Sequence, residues 1–189
     1  MKPNELFIKI QEDLAQSIKD AAKHCYENII CLNVPLKTSS ELMSYFIGHF
    51  IQTTIEKKYP DIKVLVGKSD NDHDVVLVVN GKKIPLEIKV TCSTQWRGGE
   101  FSHRDCDYLM VNWKFNEKTE EFKMFACISN LDKSNWTSNI HNGYYATSLH
   151  KMELAQDENR IDVLGGMPEW KIVNGKKYVT MESEQIKFY

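Results

Sequence analysis

The chain lacks any apolar run approaching the 18 or more residues that a membrane span requires, so no transmembrane helix is expected. It also lacks an excess of either charge. Its 24 Lys and Arg against 26 Asp and Glu leave a formal net charge of −2, which excludes the general attraction of a strongly basic protein to nucleic acid and confines any basic cleft to a local patch. The 5 prolines and 9 glycines are not bunched into a linker, repeat or low-complexity stretch, and 189 residues with 42% hydrophobic content suit one domain with a substantial core. Cys25, Cys31, Cys92, Cys106 and Cys127 form no CxxC pair and no Cys/His zinc spacing, and their odd number suits reduced thiols. The first residues, MKPNELFIKIQED, carry charges within their apolar stretch, which is not the pattern of a secretory signal. These absences together lead to the expectation of a soluble, cytoplasmic protein without a membrane partner.

What is there centres on residues 73 to 91, HDVVLVVNGKKIPLEIKVT. Two apolar runs flank Asn80-Gly81, the dipeptide best suited to a two-residue type I′ turn, because both positions tolerate positive φ. With Val79 facing Lys82, counting outward sets Asp74 directly opposite Glu87, and Lys89 shares their face. Ile84, Leu86, Ile88 and Val90 turn the other way, toward a core. Two opposed carboxylates destabilise a sheet unless a cation compensates them. A hard divalent ion such as magnesium does so through oxygen ligands while keeping waters for a nucleophile or a phosphate.

Asp74 followed by Glu87-Ile88-Lys89 at a strand end resembles the PD-(D/E)XK nuclease pattern, with His73 where a proline is often found. The resemblance implies phosphodiester hydrolysis. It implies Asp74 and Glu87 as Mg2+ ligands, the Ile88 carbonyl as a further ligand, and Lys89 as the group that orients or activates water. Glu-x-Lys alone has little weight, since Glu56/Lys58, Glu121/Lys123 and Glu169/Lys171 repeat it. Glu121/Lys123 has Asp107 upstream, but a turn over Asn116 to Thr119 would set Asp107 opposite Ile128. Asp70 and Asp72 lie in a polar loop and are weaker candidates for the Asp74 role.

Upstream, Leu6, Ile10, Leu14, Ile18, Ala22 and Cys25 predict an amphipathic helix over residues 4 to about 30, with Asn4 as a cap. Its stripe reads as a core face or, less simply, as a dimer contact. A second helix is predicted from about Ser39 to Lys58, with Leu42, Met43, Ile47 and Ile51 on one side and Tyr59-Pro60-Asp61 as its stop. Glu41 has two readings. It closes a capping box with the Thr38-Ser39-Ser40 segment, or it supplies the acidic metal ligand that some members of the resembled family carry on this helix.

Ile62 to Val66 reads as a short strand, and the loop after Lys89 contains Gly98-Gly99 with Trp96, Arg97, His103 and Arg104 around it. These four are candidate contacts to phosphates or base edges, against an ordinary loop with a packed Trp. Asp107 to Trp113 and Glu121 to Ile128 predict an antiparallel pair, Tyr144 to Leu154 shows no period, and Asn174-Gly175 predicts a second tight hairpin between 170 and 181. His141-Asn142 alone is too little for a ββα metal nuclease.

The predicted class is α+β, a mixed sheet flanked by helices, as in a restriction-endonuclease-like core. The expected function is a magnesium-dependent, sequence-specific endonuclease of double-stranded DNA of the type II restriction kind. Such enzymes usually work as two-fold homodimers, and a companion methyltransferase would act on the same site without being bound. The alternatives are a structure-specific repair or recombination nuclease of the same fold, or a non-catalytic DNA-binding module.

Overall fold

In the computed structural model, which describes residues 2–28, 36–67, 72–93, 95–98, 104–116, 118–139, 144–148, 160–165, 168–181 and 184–187, Asn80 and Gly81 take φ values of 50° and 76°. Both signs are those of a type I′ turn, whose twist matches the flanking strands. The strands are β2 (Val75–Val79) and β3 (Lys82–Thr91), paired antiparallel with Val79 opposite Lys82 and Val75 opposite Leu86. That is the expected register, and its next step outward sets Asp74 across from Glu87.

β1 (Ile62–Val66) pairs with the other edge of β2. β3 then runs parallel to β5 (Cys106–Asn116), which pairs antiparallel with β6 (Glu121–Leu131). The far edge of β6 is shared by β12 (Glu184–Lys187), opposite residues 121–124, and β9 (Ile161–Leu164), opposite residues 126–128. The result is a seven-stranded mixed sheet, and with its helices an α+β fold. The β5–β6 turn lies one residue further along the chain than predicted: Asn116 faces Glu121, so Asp107 faces Asn130 and not Ile128. The Asn130 amide donates to Asp107 at 3.1 Å.

Three helices cover one face. α1 (Pro3–Lys9) and α2 (Gln11–Asn28) are separated by a turn at Ile10, where one continuous helix was predicted. Pro3 occupies the first helical position, so Asn4 lies inside the turn it was expected to cap, and Glu5 instead accepts the Lys2 backbone N–H at 3.0 Å. Leu6, Ile10, Leu14, Ile18, Ala22 and Cys25 are wholly buried, which makes the stripe a core face. α3 (Leu36–Lys58) begins before Ser39 and packs on α2, β1 and β3 through Met43, Ile47, Ile51 and Ile55, while Leu42 is exposed. Gln52 and Glu56 on α3 meet the Val64 carbonyl and N–H of edge strand β1, each at 2.8 Å. The Glu56/Lys58 pair is thus structural, and Lys58 bonds Asp13 on α2 at 2.9 Å.

The opposite face holds a second core that the sequence did not announce. β4 (Gln95–Gly98), β8 (Tyr144–Ser148) and β7 (Thr137–Asn139) form a small antiparallel sheet. Trp96 and Trp136 pack there with Tyr108, Met110 and Phe125. Both faces of β5 are therefore buried, as its run of eight buried residues records. β10 (Pro168–Val173) and β11 (Lys176–Met181) form the predicted second hairpin, with Asn174 and Gly175 at φ 52° and 72°.

Candidate active site

β2 pairs with β3 only as far as Leu86, and beyond it the same edge of β3 is open. Both backbone groups of Ile88 point into that opening. Its N–H donates to Asp74 Oδ2 at 2.7 Å, and its carbonyl accepts from Ser44 of α3 at 3.3 Å. Asp74 is thereby held at the point where the hairpin splits, by the strand that carries Glu87 and Lys89. Lys89 Nζ stands 3.4 Å from Glu87 Oε2 and 3.7 Å from Asp74 Oδ2, so one ammonium serves both carboxylates.

A cavity of about 190 Å³ lies between this opening and α3, lined among others by Glu41, Ser44, Gly48, Asp72, Asp74 and Ile88. Glu41 faces the site from well inside α3, whose first turn holds no acidic residue, so the capping reading fails. Neighbouring Ser40 is no cap either, since its hydroxyl accepts the Trp113 indole N–H at 3.0 Å.

Glu87 is buried and crowded by nitrogen groups. His73 Nδ1 lies 2.7 Å and Arg104 Nη1 2.9 Å from Oε1, with Lys89 on the other oxygen. Burial raises the Glu87 carboxyl, but Lys89, His73 and Arg104 together outweigh burial and hold it below the ordinary glutamate range. Asp74 goes the other way. Burial lifts its carboxyl above the ordinary range, the Glu87 charge adds to the lift, and Lys89 and the Ile88 N–H only partly oppose it.

The donor set is one that magnesium accepts: two converging carboxylates, a strand carbonyl turned into a cavity and a third carboxylate on its far wall, all hard oxygens. Glu41, Asp74 and Glu87 do not close to within 4.8 Å of one another; among the described residues, the group that does is His73, Glu87 and Cys106.

No protein-family model matches the chain, and no curated protein matches it either.

The four expected DNA contacts separate. Trp96 is wholly buried and donates its indole N–H to the Val111 carbonyl at 2.9 Å, so it is a core residue and is withdrawn as a contact. Arg97 alternates with it on β4 and is exposed. Arg104 turns inward to Glu87 and to the Asp72 carbonyl at 3.0 Å, which makes it part of the carboxylate cluster. His103, like Asp70 and the His141-Asn142 pair, lies outside the described residues. Sequence reasoning missed His73, Arg104 and Cys106 as neighbours of Glu87. The approach of Arg104 and Cys106 depends on the parallel β3–β5 pairing, which no local pattern predicts, while His73 comes from the hairpin itself.

Proposed function

We propose that the chain is a metal-dependent phosphodiesterase acting on double-stranded DNA, an endonuclease of the PD-(D/E)XK type with Mg2+ as its ion. The observation that carries this reading is the meeting of Asp74, Glu87 and Lys89 where β2 and β3 part, beside the cavity that Glu41 lines. Asp74, Glu87 and the Ile88 carbonyl would hold the ion, with Glu41 closing from α3. When bound, magnesium supplies Lewis-acid stabilisation of charge developing on a phosphoryl oxygen.

The chain's own groups prepare that reaction. Lys89, half-buried beside the two carboxylates, orients the attacking water and neutralises negative charge as the nucleophile forms. Glu87, whose carboxyl Lys89, His73 and Arg104 hold below the ordinary glutamate range, presents a charged ligand at neutral pH. Arg97, exposed on β4, and His103 are the remaining candidates for contact with the duplex. A type II restriction role, cutting a fixed sequence as a two-fold dimer, is the specific form we favour. A molar mass near 22.0 kDa with DNA bound would argue against the dimer. Asp74→Ala, Glu87→Ala and Lys89→Ala should each abolish cleavage with the fold retained, and full activity in any one would refute the site.

A further inference from the structure

Glu87 belongs to two donor sets. His73 Nδ1, a Glu87 oxygen and the Cys106 sulfur all lie within 4.8 Å of one another. The three residues come from the segment before β2, the middle of β3 and the first position of β5, so the sheet assembles them across the chain. Imidazole, carboxylate and thiol make a borderline set. Sulfur and nitrogen donors suit zinc or cobalt, whereas magnesium keeps to oxygen. Three protein ligands with a fourth position left to water are the composition of an open zinc site.

We propose that His73, Glu87 and Cys106 bind a zinc-class divalent ion, which takes the place of the Arg104 guanidinium on Glu87 Oε1. That oxygen is the one His73 and Arg104 share, at 2.7 and 2.9 Å, while Oε2 faces Lys89 at 3.4 Å. In leaving, the Arg104 guanidinium gives up its bonds to Glu87 and to the Asp72 carbonyl at 3.0 Å, while its own carbonyl keeps the Tyr108 hydroxyl at 2.9 Å. His73, with 33% of its side chain exposed, provides the way in.

The chemistry balances. Nδ1 of His73 gives up the proton it holds toward Glu87, the neutral ring taking one on Nε2 from solvent, and Cys106 binds as thiolate, its proton passing to solvent. One guanidinium charge leaves, two arrive with the ion and one negative charge appears on sulfur, so the local charge is unchanged. Asp74, Glu41 and Lys89 are not ligands here, and the site does not depend on nuclease activity. Sharing Glu87 couples the two ions, because an ion on Oε1 draws that carboxylate's charge away from the magnesium site. Given the nuclease reading, zinc would then inhibit magnesium-dependent cleavage.

The test is titration of the full-length protein with Co2+, followed by absorption. A saturable sulfur-to-cobalt charge-transfer band at one equivalent is expected, absent in Cys106→Ser and retained in Cys92→Ser and Asp74→Asn. His73→Gln should weaken cobalt binding at least about tenfold. Melting of each metal-free variant checks the fold, and partly exposed His73 carries the test should Cys106→Ser not fold. Absence of a sulfur band, its survival in Cys106→Ser, or unchanged affinity in His73→Gln would overturn the proposal. A protein that binds cobalt in this way yet leaves DNA intact would remove the nuclease reading and leave this site standing.

Discussion

Asp74 is the residue where function and stability pull apart. Its carboxyl is raised above the ordinary 3.8 by burial and by Glu87, so ionising it in the metal-free protein costs folding free energy. Asp74→Asn keeps an acceptor for the Ile88 N–H and removes that charge. The variant should melt a few degrees above the parent at pH 7 without metal, while losing cleavage. A group whose pKa is raised on folding favours the fold below its unfolded value and loses that contribution as pH rises through its folded value. The gap between parent and Asp74→Asn should therefore close as pH falls toward 3.8. Glu87 has the opposite sign: its pKa is lowered from 4.5, so it stabilises the fold above that value and the contribution fades as pH falls through its folded value. Glu87→Gln should accordingly destabilise the protein at pH 7, and melting curves across pH distinguish the two carboxylates. Glu41 gives a third, separate outcome. Since it caps nothing, Glu41→Gln should leave the melting temperature unchanged and reduce cleavage.

At the scale of elements, the hairpin explains why the site was legible. Asn80-Gly81 determines the turn, the turn determines the register, and the register sets Asp74 against Glu87, so that part followed from local rules alone. The groups that β5 brings to Glu87 did not. Arg104 and Cys106 arrive through a parallel pairing whose strands are joined by residues 92–105; β5 was legible as a strand, but no local pattern says that β3 is its neighbour. Trp96 was placed in a loop because β4 is only four residues long and finds its partner, β8, some fifty residues away. Gly67 links element to site. Its N–H donates to the Asp74 carbonyl at 3.0 Å, and a Cβ there would meet the His73 carbonyl oxygen at 2.4 Å. Gly67→Ala must therefore push the His73-Asp74 segment away, and cleavage should fall by about 10²-fold, the penalty of roughly ångström misplacement. Gly81→Ala is the control. A Cβ meets nothing within 4 Å there, so only the positive φ is strained, at about 1–2 kcal/mol, and cleavage by the folded protein should be unchanged.

At the scale of the molecule, the mixed sheet carries helices on one face and a small aromatic-rich sheet on the other, and the carboxylates open at the margin between them. No helix among the described residues is long and apolar enough to cross a membrane. With a net charge of −2, hold on a polyanion must come from local groups and from a bound cation, so DNA binding should weaken when magnesium is removed. The measurement that tests the central claim most directly is digestion of long, unmethylated DNA of varied sequence by the purified protein, with magnesium and with EDTA, beside the Lys89→Ala variant. Discrete fragments that require magnesium and vanish in the variant are the predicted result. Intact DNA in every lane, or equal cleavage in EDTA, would contradict the account.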